Sequence, residues 1–295
     1  MQLAAVLPTS EIGADTSAVR DWVAAAEELG YQRIIAYDHV LGAEHSGRVT
    51  PLGGPYTPDD PFREPMTFLA YVAGVTKTVE LMPGVLVLPQ RQTVLVAKQA
   101  TEVDLLSDGR LVLGVGIGWN RIEYQSLGLP FERRGARLEE QVALLRLLWT
   151  RRVLDFEGAF HRVDRAGIWP LPRREIPLWF GGRSRPAVER AAVLGDGVYF
   201  AGVDDGSCAS AERLAEIVPV RQPHRDRRFG LAGQINTRAG QDKCIADTRR
   251  WASVGGTQIA VNSMRPRAVT ADPPMTVDGH IAHLAEFADV VRSAQ

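Results

Sequence analysis

The 295-residue sequence predicts an α/β fold in the form of a (β/α)8 barrel, and three observations carry that reading. Strand-like and helix-like runs alternate from end to end, the pattern of a parallel sheet joined by crossover helices. Eight strand-like runs can be counted, the number such a barrel needs. Glycine and polar residues follow most of these runs. A barrel gathers strand ends at one mouth, whereas a doubly wound open sheet would concentrate them at a single switch point.

The strands are expected at Leu3 to Leu7, Arg33 to Tyr37, Leu81 to Leu88, Leu111 to Val115, Ile176 to Phe180, Gly197 to Ala201, Phe229 to Ile235 and Gln258 to Val261. Helices are expected between them. Val19, Trp22, Val23, Ala26 and Leu29 recur at helical spacing and stop at Gly30, a C-terminal glycine signal. The same spacing returns in Leu138, Val142, Leu145 and Trp149, and in Ile281, Leu284, Ala285, Ala288 and Val291. One barrel domain then spans residues 1–295, with insertions after strand 2 and before strand 5. Residues 41–64 carry Pro51, Pro55, Pro58 and Pro61 with four glycines, too irregular for an ordinary connection and placed after a site strand, so a lid is expected. Residues 151–175 hold two short strand-like runs around Glu157-Gly158-Ala159, a hairpin pattern.

Composition narrows the function. With 45% hydrophobic and 23% charged residues the chain has a core to bury, which excludes a disordered, coiled-coil or collagen-like chain. No apolar run approaches the roughly 20 residues of a membrane span, and Met1 to Pro8 lacks the basic region of a signal peptide. A cytoplasmic protein is expected. Net charge is -1, with basic and acidic residues interspersed, so no nucleic-acid footprint exists. Cys208 and Cys244 stand alone, without metal or disulfide spacing, and are expected to be structural thiols. His280 and His283 share a helix face but lack a third ligand, so they are expected at the surface or an interface, and no metal site is expected.

Three motifs carry candidate chemistry. Leu113 to Gly118 contains Gly114, Gly116 and Gly118 but sits mid-chain, outside the first βα turn of a dinucleotide fold; absent side chains would instead let a flat ring or a phosphate approach the backbone. Gly181-Gly182-Arg183-Ser184 precedes Pro186. It reads either as an anion site on a helix N-terminus or as a helix start capped by Ser184. Asp38-His39 ends the second strand, where His39 could exchange protons near neutral pH; a satisfied structural histidine is the alternative.

Together the motifs resemble the luciferase-like monooxygenase superfamily, and more closely its branch using the deazaflavin coenzyme F420. The residues that carry the resemblance are Tyr37 to Val40, Gly54 to Phe62, Gly84 to Arg91, Leu111 to Trp119, Trp179 to Gly182 and Gly195 to Gly197. They run in family order over nearly the whole chain. The resemblance implies a deazaflavin held at the barrel mouth, with FMN and a monooxygenase reaction as the alternative, and a non-catalytic deazaflavin carrier as a third reading. Asp38 would meet the ring edge and His39 its reactive face. A cis bond would fall at Gly84-Val85, bracing the ring, with Gly116 and Gly118 nearby. The phosphate tail would reach Gly181, Gly182, Arg183 and Ser184. Trp119 and Asn120 stand where sugar-phosphate dehydrogenases of this branch carry an acidic partner, which disfavours that substrate class, and Arg265 to Pro274 departs from the expected glycine-rich link. The expected partners are a small-molecule substrate and a second copy of the chain.

Overall fold

The computed structural model describes residues 1–54, 56–224, 227–266 and 273–294. Its strands, in chain order, are β1 (Gln2–Val6), β2 (Arg33–Ala36), β3 (Glu80–Pro83), β4 (Leu86–Val87), β5 (Leu113–Gly116), β6 (Leu154–Glu157), β7 (Arg162–Ala166), β8 (Leu178–Gly181), β9 (Gly197–Phe200), β10 (Gly230–Asn236) and β11 (Gln258–Asn262). The helices are α1 (Thr9–Ile12), α2 (Thr16–Glu28), α3 (Pro65–Val75), α4 (Thr93–Leu106), α5 (Arg121–Ser126), α6 (Arg134–Thr150), α7 (Arg185–Leu194), α8 (Asp205–Arg221), α9 (Gln241–Ser253) and α10 (Val277–Ser293).

Nine strands form one parallel sheet in the order β3-β2-β1-β11-β10-β9-β8-β5-β4. Because β3 and β4 are successive pieces of the chain and Leu81 bridges Leu111, the sheet closes on itself as the expected (β/α)8 barrel. The predicted third strand is therefore one strand in two parts. β3 stays in register with β2 (Ile34 opposite Leu81) and β4 with β5 (Leu86 opposite Val115). The break has a local cause: Pro83 has no N–H to continue the ladder. The chain bulges at Gly84-Val85, joined by a cis peptide bond.

Inward-facing residues fill the lumen in layers. At the floor, the buried Arg33 guanidinium lies 4.2 Å from the centroid of the Trp179 ring and donates to Gln258 at 2.9 Å and Glu80 at 2.8 Å. The indole occupies space left open by two glycines: a Cβ on Gly197 or Gly230 would stand 2.5 or 2.1 Å from it. Ala4, Val6, Ile35 and Met82 pack above. Outside the barrel, Val19, Trp22, Val23 and Ala26 of α2 and Leu138, Val142, Leu145 and Trp149 of α6 are buried, the stripes that periodicity marked.

Residues 41–64 contain no helix or strand among those described. They are tied down by a turn in which Asp60 accepts the Thr57 N–H at 2.8 Å and by Arg63, which donates to the Gly13 carbonyl at 2.6 Å. Between α6 and β8, β6 and β7 pair antiparallel as a separate two-stranded sheet. Glu140 of α6 anchors it, accepting from Ala159 N–H at 2.7 Å and Phe160 N–H at 2.9 Å. Cys208 and Cys244 are free and buried.

The final helix corrects the sequence reading. His280 is fully buried, not at the surface, with Nδ1 2.8 Å from the Ser263 hydroxyl and Nε2 3.5 Å from a Glu11 oxygen. His283 is half-buried, with Nδ1 2.8 Å from the Thr237 hydroxyl and its ring stacked on Phe287. The buried stripe of α10 accordingly includes His280, Leu284, Phe287 and Val291, and leaves out Ile281 and Ala285. The reason is Glu11, a buried carboxylate that needs donors. It accepts the backbone N–H of Arg265 at 2.5 Å and of Met275 at 2.6 Å, and the helix is turned to present His280 to it. Of the Arg265 to Pro274 stretch, residues 267–272 lie outside the described residues.

Burial alone would raise the Glu11 carboxyl, but His280 and the two backbone donors outweigh it and hold it at about 2, against an ordinary 4.5. A depressed carboxyl stabilises the fold fully above its unfolded value, and that stability is lost as pH falls through the folded value. The stability difference between wild type and Glu11→Gln, read from urea unfolding at a series of pH values, should be widest above pH 4.5 and close as pH falls toward 2. A difference constant over that interval would contradict the assignment.

Candidate active site

Strand C-termini converge on a cavity of about 580 Å³ at one end of the barrel. It is bordered by Tyr37, Asp38 and His39 after β2, Val85 in the bulge, Gly116 at the end of β5 and Trp119 beyond it, and Gln234 and Asn262 toward the ends of β10 and β11. A second cavity of about 420 Å³ shares Gly84, Val85, Gly181 and Gly182 with it and runs past Arg183 to Asp204 and Ser207 at the N-terminus of α8. The site is thus one elongated cleft.

The sequence-predicted glycines are brought together, and three of them leave room for side chains of the broken strand. A Cβ on Gly116 would stand 2.5 Å from Val85 Cγ2, and one on Gly181 2.9 Å from both Val85 methyls. At Gly118, with φ +64°, a Cβ would meet Val87 at 2.6 Å. The absent side chains make room for the bulge, and Val85 stands as an apolar shelf in the mouth.

Asp38 fixes that shelf. Its oxygens accept the Val87 N–H at 2.8 Å and Arg91 at 2.7 Å, and Arg91 also donates to Glu64 at 2.9 Å. Burial pushes the Asp38 carboxyl up from its ordinary value against the pull of Arg91 and Val87. Burial also works against charge on Arg91, yet Asp38 and Glu64 hold its guanidinium above its usual range. With an N–H donor on each Asp38 oxygen, the geometry decides for an ion pair at neutral pH. Asp38 borders the cavity, but its oxygens are occupied by the protein itself.

His39 is 9% exposed in its side chain, and its Nδ1 lies 3.4 Å from Glu123 Oε2. Tyr56 and Phe62 of the 41–64 segment box the ring at centroid distances of 4.9 Å, and Trp119 at 5.5 Å. Glu123 is the residue that sequence reasoning missed. Trp119 and Asn120 carry no acid, and the nearest acidic side chain of that stretch stands in the first turn of α5. The visible signal was Asn120-x-x-Glu123, which reads as an ordinary capping box. Asn120 caps α5 with its own side chain, accepting from Ile122 N–H at 3.1 Å and Glu123 N–H at 3.3 Å. Glu123 turns away to His39 and to the backbone N–H groups of Val40 and Leu41.

The opposite wall carries polar side chains, with Arg265 also bordering the cavity. Tyr37 donates to Gln234 Oε1 at 2.6 Å, and Tyr199 donates to the same oxygen. Burial pushes both phenols above their ordinary range, so both remain hydroxyls. Asn236 and Asn262 shape the turn after β11: Asn236 donates to the Met264 carbonyl at 3.0 Å, and Asn262 accepts the Met264 N–H at 2.9 Å.

The Gly181 to Ser184 motif holds one surprise. Arg183 donates to Asp204 at 2.5 Å across the second cavity and is two-thirds exposed. Ser184 stands at the N-cap position of α7, yet its hydroxyl makes no capping bond. Both alternatives from sequence are altered: the cap is unused, and the cation already faces a carboxylate.

The glycine seats can be tested by stability alone. Gly116→Ala should destabilise the barrel by about 1–3 kcal/mol, as over-packing does. The same change in a Val85→Ala background should cost much less, giving a coupling in a denaturant double-mutant cycle. Additive effects would mean that Val85 does not depend on Gly116.

The sequence profile described as luciferase-like monooxygenase matches residues 2–290. An uncharacterized protein of Mycobacterium tuberculosis is 33% identical over 221 residues, covering 71% of this chain and 75% of its own. An F420-dependent glucose-6-phosphate dehydrogenase of Amycolatopsis mediterranei is 30% identical over 242 residues, covering 79% and 68%. Among solved structures, a monooxygenase from Streptomyces bottropensis superposes with a TM-score of 0.77 at 18% identity over 99% of both chains, a likeness of fold. A profile match across nearly the whole barrel, including every strand end that builds the cleft, makes this chain a member of the luciferase-like monooxygenase family.

Proposed function

We propose that the protein is an oxidoreductase that uses the deazaflavin coenzyme F420 to transfer hydride to or from a small or medium organic substrate. The observation that carries this reading is His39 at the cleft, with Nδ1 facing Glu123, beside the Val85 shelf. The residues fit such a group. The Val85 shelf offers an apolar seat for a flat ring, and the cleft continues past Gly182 to Arg183, a cation that suits a phosphate. When bound, the deazaflavin supplies two-electron hydride chemistry. Val85, Gly116 and Gly181 would support it, and Gly182, Arg183 and Ser184 would hold its anionic tail. His39 would exchange a proton with the substrate, its Nε2 being the nitrogen not turned to Glu123. Tyr37 and Tyr199, kept neutral by burial, would leave that exchange to the imidazole.

The relative named for F420 supports the deazaflavin. The monooxygenase neighbour keeps an FMN-dependent monooxygenase as the second reading. Parallel fluorescence titrations of the pure protein with F420 and FMN distinguish the two: tighter binding of F420 is expected, and equal or tighter binding of FMN favours the second. In the same titration, Arg183→Ala should weaken F420 binding and Asp204→Asn should tighten it, each by about two- to tenfold for an exposed charge pair. Asparagine preserves the cap of α8, so this second variant tests charge rather than fold. Insensitivity to both would remove the tail from this end of the cleft.

For His39, turnover is the readout, after a panel of enones, imines and alcohols has given a substrate. His39→Ala should lower turnover by about 10²- to 10⁴-fold, the usual worth of general acid–base help, with cofactor affinity changed only a few fold. Full activity in that variant would return His39 to a structural role.

A further inference from the structure

Against the His39 ring lies a buried carboxylate, Glu123, to which the reading above gives no task in the chemistry. We infer that Glu123 is a positioning residue: it fixes the tautomer of His39, with the proton on Nδ1 and the lone pair on Nε2. The inference rests on the reading of His39 as the proton-exchanging group only for its consequence in turnover; the tautomer itself is a property of this chain alone.

The geometry carries it in three steps. Glu123 is 2% exposed in its side chain, and a carboxylate so placed must be met by donors. Two of them are backbone N–H groups, from Val40 and from Leu41 at 3.3 Å, both on Oε1. The third neighbour is His39 Nδ1, 3.4 Å from Oε2. An ionised carboxylate only accepts, so the favourable arrangement puts a hydrogen on Nδ1. In neutral imidazole the other nitrogen is then the acceptor, and Nε2 bonds to no described protein group. A proton arriving at Nε2 creates an imidazolium whose charge faces Glu123. Tyr56, Phe62 and Trp119 box the ring edge-on or tilted, which restrains a flip that would exchange the two nitrogens.

A purely structural role is the competing account. By holding Val40 and Leu41, Glu123 also tethers the start of the segment that delivers Tyr56 and Phe62. That role fixes the chain but makes no demand on where the imidazole proton sits. The two are separated by histidine-selective ¹⁵N labelling and two-bond ¹H–¹⁵N correlation spectra of the cofactor-free protein, recorded near pH 8.5, where an ordinary imidazole is neutral. The six histidines are resolved by comparison with a His39→Gln spectrum.

Wild type should show the Nδ1–H pattern for His39, and Glu123→Asp should retain it. In Glu123→Gln the amide can donate to Nδ1, so the population should move largely to Nε2–H. A wild-type spectrum with the proton on Nε2 overturns the inference without any variant. So does a Glu123→Gln spectrum that matches wild type. Because no cofactor is present, failure of the F420 titration leaves this result untouched, and failure here leaves the cofactor assignment standing.

Discussion

The site depends on a matter of space: two strands of the barrel carry no side chain where they face the break in a third. Val85 can stand in the mouth because Gly116 on β5 and Gly181 on β8 leave room for its methyls. The bulge is then held from the other side, where Asp38 takes the Val87 N–H and brings Arg91 and Glu64 with it. Steric room from one half of the barrel and hydrogen bonds from the other settle a segment that the regular ladder abandons after Pro83. The same pairing of bulk against absence recurs at the floor, where Trp179 fills the space beside Gly197 and Gly230. Large side chain and bare backbone are complementary at both ends of the lumen, and close packing makes each depend on the other.

Much of the architecture could be read from the sequence, because hydrophobic period and strand-end composition are local signals. The stripes on α2 and α6 fall where their spacing put them. The stripe on α10 does not, since the helix is turned by a buried carboxylate more than 250 positions away in the chain; such a long-range demand leaves no periodic mark. The glycines show a subtler limit. Their positions were legible, but whether bare backbone admits a ligand or another side chain depends on what the neighbouring strand does, and that is decided in three dimensions.

The candidate chemistry shows the same division. His39 was legible as a titratable group at a strand end, whereas Glu123 was hidden by a pattern that usually means capping. Asp38, which precedes His39, accepts a backbone N–H of β4, and Glu123, which faces the His39 ring, accepts those of Val40 and Leu41. Residues 38 to 41 are therefore gripped from both sides, by β4 and its following turn on one and by α5 on the other. Acidic residues at this mouth act first as fasteners of chain geometry, and any effect on reactivity comes through the groups they fasten.

The floor of the lumen carries a further meaning. Arg33, stacked on Trp179 and bonded to Gln258 and Glu80, stoppers the end of the barrel remote from His39. Whatever occupies the cleft must then arrive and depart at the His39 end of the barrel. Traffic through one doorway is sequential: a molecule seated deep on the shelf is sealed in by one lying over it, and the outer must leave first. The order of events in a catalytic cycle would in that way be written into the plumbing of the barrel, apart from any difference in affinity.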